Sequence, residues 1–139
     1  MTREEVLEYA LRQFDVRPDS PFDEDFDTMV LRHPASGKWF GLIMNVAEDR
    51  LSLESGRRGG FADVLNVKCD PEVGASLVNG KSIIPAYHMN KEYWITAALD
   101  GSVPESDIKM LLDISFCETA KRKAIKKPSR NERRPDRFL

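Results

Sequence analysis

Apolar positions along this chain recur with two periods, and the switches between them mark out the elements. Leu7, Ala10, Leu11 and Phe14 fall at helical spacing, along one side of a 3.6-residue repeat. Thr2 and Glu5 stand just ahead with the spacing of a capping box, in which each side chain satisfies a backbone N–H of the first turn. The pattern predicts a first helix, broken over Asp15 to Pro21. Phe22-Asp23-Glu24-Asp25-Phe26-Asp27 reads as an acidic loop with two Phe anchors. The period then falls to two. Thr28–His33 and Lys38–Val46 read as strands joined by Pro34-Ala35-Ser36-Gly37, whose residues suit a turn. Strict alternation puts Met29 and Leu31 on one face, and Phe40, Leu42, Met44 and Val46 on one face. Residues 47–60 read as a mobile loop. Val64–Cys69 reads as a third strand, with Leu65, Val67 and Cys69 on one side and Asn66 and Lys68 on the other.

Asp70-Pro71-Glu72 is a helix start: Asp as N-cap, Pro at the first helical position, Glu in the first turn. Gly80 is expected to close that short helix. Strands follow near Ser82–Pro85 and Tyr93–Leu99, and Asp100-Gly101 turns the chain. Pro104-Glu105 opens a last helix with Ile108, Leu111, Leu112, Ser115 and Thr119 on one face and Phe116 beside it. This helix is expected to run to about Ile125, ahead of Lys127-Pro128. The order α-β-β-β-α-β-β-α predicts an α+β fold of two layers, an antiparallel sheet of about five strands packed against helices.

Length and charge refine this picture. The 139 residues make one domain, expected over 1–127, with a basic tail over 128–139 that reads as disordered. No apolar run is long enough to span a membrane, and the N-terminal residues lack a secretory-signal layout. Cys69 and Cys117 stand far apart with no CxxC pair, which suggests two buried thiols in a reducing cytoplasm. The net charge of −2 conceals an asymmetry. Residues 1–119 hold 12 Lys/Arg against 21 Asp/Glu, whereas residues 120–139 hold 9 against 2. A basic end on an acidic body points to an anionic partner or to association of tail with body.

Candidate chemistry concentrates in Pro85-Ala86-Tyr87-His88-Met89-Asn90-Lys91-Glu92-Tyr93-Trp94, which gathers an imidazole, an amide, an ammonium and three rings. Ordering so much aromatic area in a loop is costly. The segment is therefore either a shaped corner, in which His88 and Asn90 satisfy local backbone groups, or a site for an anion or a base edge, with Lys91 as a point charge. Alternation adds a second clue. With Phe40, Leu42 and Met44 toward the helices, Trp39 and Ile43 point away, Gly41 between them. Asn66, Lys68, Trp94, Thr96 and Arg32 then share that second face. Rings beside cations on a sheet stack bases and neutralise phosphates. The same face covered by a helix, a loop or a second subunit would be structural only. The acidic run Asp23, Glu24, Asp25 and Asp27 lacks the glycine and closing glutamate of a calcium loop and reads as a solvated turn. Two His and two Cys match no zinc spacing, and no catalytic constellation, metal or cofactor is expected.

Gly37-Lys38-Trp39-Phe40, Asn66-Val67-Lys68-Cys69-Asp70-Pro71-Glu72, Pro85-Ala86-Tyr87-His88-Met89-Asn90-Lys91, Trp94-Ile95 and Leu99-Asp100-Gly101-Ser102-Val103-Pro104 occur in this order. Together they resemble the MmcQ/YjbR family over about residues 1–120. The resemblance implies a small α+β domain with an antiparallel sheet, similar in layout to secretion chaperones. Members are often labelled DNA-binding because sheet and loops resemble a double wing. It implies no catalytic residue. The expectation is a non-catalytic cytoplasmic binding module, monomer or homodimer. It would hold nucleic acid without strong sequence preference. Lys91, Lys68, Arg32 and the basic tail would meet phosphates, Trp39 and Trp94 would stack, and Tyr87, His88 and Asn90 would lie alongside. The alternative is a chaperone-like protein-interaction module using the same sheet face.

Overall fold

Thr2 caps the first helix as its spacing predicts: Glu5 N–H donates to the Thr2 hydroxyl and the Thr2 N–H to the Glu5 carboxylate. Helix α1 (Arg3–Phe14) buries Val6 and Ala10 and ends at Asp15 in the left-handed region. The computed structural model describes residues 1–22, 27–50 and 60–120. Strands β1 (Met29–Arg32) and β2 (Trp39–Ala47) form a hairpin, and β2 runs into one 3-10 turn, Glu48–Arg50. Then come β3 (Phe61–Lys68), α2 (Pro71–Leu77), β4 (Ile83–Pro85), β5 (Trp94–Ala98) and α3 (Glu105–Ala120). The five strands pair antiparallel in the order β1-β2-β3-β5-β4. This is the α+β architecture and element order that the hydrophobic pattern predicts.

All three helices lie on one face of the sheet. There Val6, Ala10, Ile108, Leu111 and Leu112 pack on Leu31, Ile43, Leu65, Val67, Ile95 and Ala97. The buried face of α3 is Ile108, Leu111, Leu112, Ser115 and Thr119, as its spacing predicts. The second face carries Val30, Leu42, Met44, Val46, Ala62, Val64 and Ile84, with Trp39, Tyr87 and Met89 laid over them.

This division corrects the expected faces of β2. Leu42 and Met44 sit on the second face, while Gly41 and Ile43 sit toward the helices with Phe40. The cause is a bulge. Leu31 pairs with Gly41 but Arg32 pairs with Trp39, so one residue, Phe40, has no partner on β1. An extra residue reverses the alternation beyond it. Trp39 thus remains on the second face, and Phe40 turns inward against Phe14 and Phe116. The bulge also ends regular pairing with β3, and α3 completes the hydrogen bonds. The Ser115 hydroxyl donates to the Phe40 carbonyl at 2.5 Å and accepts the Lys68 N–H at 2.8 Å.

Both sheet edges are blunted. On β1 the outward N–H and C=O of Val30 bond to Asp19. On β4 the Ile83 N–H donates to the Asn79 side chain, and its carbonyl accepts from the Asn79 and Gly80 N–H groups. Pro85 brings no N–H at all. An exposed edge would otherwise template pairing with another chain.

Other expectations shift in detail. Helix α2 ends at Leu77 rather than at Gly80, which takes a positive φ in the following turn. Cys69 is buried, but Cys117 is exposed, so only one thiol fits the expected buried pair. Residues 23–26 of the acidic loop, 51–59 of the expected mobile loop and 121–139, which include the tail, lie outside the described residues.

Candidate functional site

The bulge, the cross-strand pair Lys68–Trp94 and the segment after β4 build the second face into a sequence of pockets. Lys68 is opposite Trp94 in register, so both side chains stand on that face. Trp39 reaches the same place through the bulge. The result is a groove of about 420 Å³ lined by Lys38, Trp39, Lys68, Met89, Trp94, Glu118 and Thr119. Trp39 from β2 with Lys38 just ahead of it, Lys68 from β3 and Trp94 from β5 thus line one groove. Both indoles are partly exposed. Glu118 is the one carboxylate in the lining.

The Tyr87-His88-Met89 segment crosses the second face, held by a buried polar network. Asn66 has 0% exposure. Its amide donates to the Tyr87 carbonyl at 2.9 Å, and its carbonyl accepts the Thr96 hydroxyl at 2.5 Å. The Thr96 oxygen in turn accepts the Tyr87 N–H at 2.8 Å. Both backbone groups of Tyr87 are therefore fixed from the sheet. His88 follows with φ 60, a conformation that side chains other than Gly and Asn adopt uncommonly. This kink exposes the imidazole, with its ring 4.0 Å from that of Tyr87, while Met89 turns back onto the sheet.

Two more pockets adjoin the indole groove. One, about 290 Å³, lies between Phe22, Trp39, Leu42, Met44, His88 and Met89. The ring of Phe22 meets Trp39 edge-on at 6.3 Å. The next, about 400 Å³, is lined by Thr28, Met44, Val46, Arg50, Phe61, Tyr87 and His88 among others.

The expected site residues divide accordingly. Trp39, Trp94 and Lys68 come together in the groove; Tyr87 and His88 line the adjoining pockets. Asn90 lines none of these pockets: its side-chain oxygen accepts the N–H groups of Glu92 and Tyr93, and its carbonyl accepts Trp94 N–H. It shapes the corner. Lys91 is exposed but lines a separate groove of about 390 Å³ beside α2, with Pro71, Gly74 and Val78. Arg32 stands on the second face next to Trp39, yet it is ion-paired with Asp19, which lowers its availability to an anion. The sequence pattern alone did not bring out Lys38 and Met89. Lys38 directly precedes Trp39, just outside β2, and Met89 follows the His88 kink.

Beneath the groove lies His33. Its ring packs against Phe116 at 4.2 Å and Phe40 at 5.3 Å. Nε2 is 2.7 Å from the Thr119 hydroxyl, which donates to the Ser115 carbonyl at 2.8 Å. Burial pushes the imidazole pKa down, the Phe116 backbone opposes the shift, and the nearby Lys38 charge adds to it.

A model of the YjbR family matches residues 11–118. The chain belongs to the YjbR family. It is 40% identical to the Bacillus subtilis protein YyaQ over 116 residues, covering 84% of this chain and 96% of YyaQ. It is also 40% identical to the Escherichia coli protein YjbR over 53 residues, 37% of this chain and 45% of that protein. A crystal structure of a Pseudomonas syringae protein superposes with a TM-score of 0.79 at 35% identity, covering 86% of this chain and 99% of that one. A Deinococcus radiodurans protein superposes with a TM-score of 0.59 at 30% identity, over 84% of this chain and 76% of that one. The YjbR match spans the second-face pockets from Phe22 to Glu118.

Proposed function

We propose that this YjbR-family chain is a non-catalytic module that binds single-stranded nucleic acid through the Trp39–Trp94 groove. One observation carries the reading: Trp39 and Trp94, both partly exposed, line the same groove of about 420 Å³ as Lys38 and Lys68. Indole faces stack bases of any identity, and lysines meet phosphates as point charges. A duplex hides its base faces, so it gains nothing from the rings. The acidic body, 21 Asp/Glu against 12 Lys/Arg over residues 1–119, repels a duplex with its denser charge.

Fluorescence anisotropy with a labelled ten-nucleotide single strand and the corresponding duplex, at low and moderate salt, tests this. Single-strand binding is expected to exceed duplex binding and to weaken with salt. Trp94→Ala is expected to cost about 1–3 kcal/mol of binding, the contribution of one stacked base. Absence of single-strand binding by the full chain at low salt refutes the reading.

A protein partner on the same face is the second reading. It is favoured by the apolar middle pocket with Leu42, Met44 and Met89, residue types that adapt to varied apolar surfaces. The blunted edges at Val30 and Ile83 oppose docking of a partner strand, which leaves a helix or loop as the form such a partner would take. Binding that survives Lys68→Ala and added salt but fails with Trp94→Ala would support it.

A further inference from the structure

The three pockets on the second face share residues. The indole groove and the middle pocket have Trp39 and Met89 in common. The middle and far pockets have Thr28, Met44 and His88 in common. They follow β2 from Trp39 to Ala47, about 27 Å at the usual rise of a strand. Cations stand at both ends, Lys38 and Lys68 at one and Arg50 at the other, and Arg50 is exposed. Between them are the Trp39 ring and the exposed His88 ring, which the left-handed backbone lifts off the sheet. Strain of this kind persists only where surrounding structure enforces it. Here the Asn66–Thr96 clamp on Tyr87 does so.

We infer that the bound strand does not stop at the indoles but continues across the second face, over His88, to a second phosphate-binding position at Arg50. This rests on the nucleic-acid reading above and adds a path and a length to it. At the 3.4 Å rise of a stacked strand, 27 Å holds about eight nucleotides, and fewer where bases are splayed. The footprint is therefore about four to eight nucleotides, at the lower end of sites on small single-strand-binding domains. Apolar lining in the middle pocket receives a base, while charge at the ends receives the backbone. Each part of the strand meets the chemistry that suits it.

The experiment is a length series. Labelled oligo-dT of two to twelve nucleotides is titrated by anisotropy into the full chain, Trp39→Ala, His88→Gly and Arg50→Ala. Affinity is expected to climb with length and level off between about four and eight nucleotides. Trp39→Ala weakens every length. Arg50→Ala leaves the dinucleotide unchanged, weakens the twelve-nucleotide strand, and reduces its salt slope by about 0.7, the share of one phosphate. His88→Gly relieves the backbone strain, so the fold tolerates it, and it also weakens long strands selectively. Affinity that is flat beyond three nucleotides, or an Arg50→Ala curve identical to wild type at every length, overturns the continuous path while leaving the indole groove in place. Binding of no length overturns both.

Discussion

Asn66 is an amide buried on a sheet face, a position where every hydrogen bond must be made for the group to be tolerated. Its partners are the Thr96 hydroxyl and the Tyr87 carbonyl. Replacing it by Leu keeps the volume but leaves the Thr96 hydroxyl proton without its acceptor and the Tyr87 carbonyl without its donor. The expected cost is about 2–3 kcal/mol in urea unfolding. Loss of strand affinity should exceed that of a surface control, because Tyr87 to Met89 would no longer be pinned. His33 gives a residue-scale pH dependence. Burial lowers its pKa in the folded state. Between that lowered value and the ordinary value of about 6.5, the unfolded chain binds more protons than the folded one. Stability contributed by the neutral, buried imidazole is present above that ordinary value and is lost as pH falls toward the folded value. Thermal melts from pH 8 to 5.5 are expected to show a declining midpoint for the wild type and a flatter profile for His33→Gln.

At the scale of elements, the bulge in β2 decides which side chains the sheet presents. Without it, Phe40 would lie with Leu42 and Met44, and Trp39 would face the helices. Helix α3 stabilises the irregularity from the other side, because Ser115 supplies both the donor and the acceptor that the interrupted β2–β3 ladder lacks. Ser115→Ala is expected to destabilise the fold by about 1–3 kcal/mol, measured by denaturant unfolding, since it removes the partner of a buried carbonyl and of a part-buried N–H. The substitution also loosens the strand end carrying Trp39 and Lys68, so groove affinity should fall further than for an α3 surface change such as Met110→Ala. Helical spacing places Ser115 on the buried face of α3 but offers no reason for a hydroxyl there. That reason lies in a break in the sheet 75 positions away.

For the whole molecule, charge separates the groove from its surroundings. The described body is acidic overall, yet the second face has lysines at one end and an arginine at the other. Residues 121–139 carry nine further Lys/Arg, and they begin directly after Thr119 and Ala120, the first of which lines the groove. A chain ending at Ala120 retains every element described above and shifts the net charge from −2 to −9. Single-strand affinity is expected to drop at low salt, and the slope of log K against log salt to shrink by about 0.7 for each phosphate left without its cation. An unchanged slope in anisotropy titrations would assign those residues to solubility alone. No helix among the described residues is long and apolar enough to cross a membrane.

The amino-acid sequence by itself determined the elements, their order and most of their ends. Caps, turns and the buried face of α3 arise from residues within about four positions of each other, and such relations are written directly in the local pattern. Only the tertiary structure decided which side chains share a groove. The inward turn of Phe40, the pairing of Arg32 with Asp19, the placement of Lys91 beside α2 and the arrival of Lys38 and Met89 beside the indoles all depend on strand register and loop path. Those are fixed by pairing and packing between segments far apart in the chain, and strict alternation cannot register one extra residue in a strand.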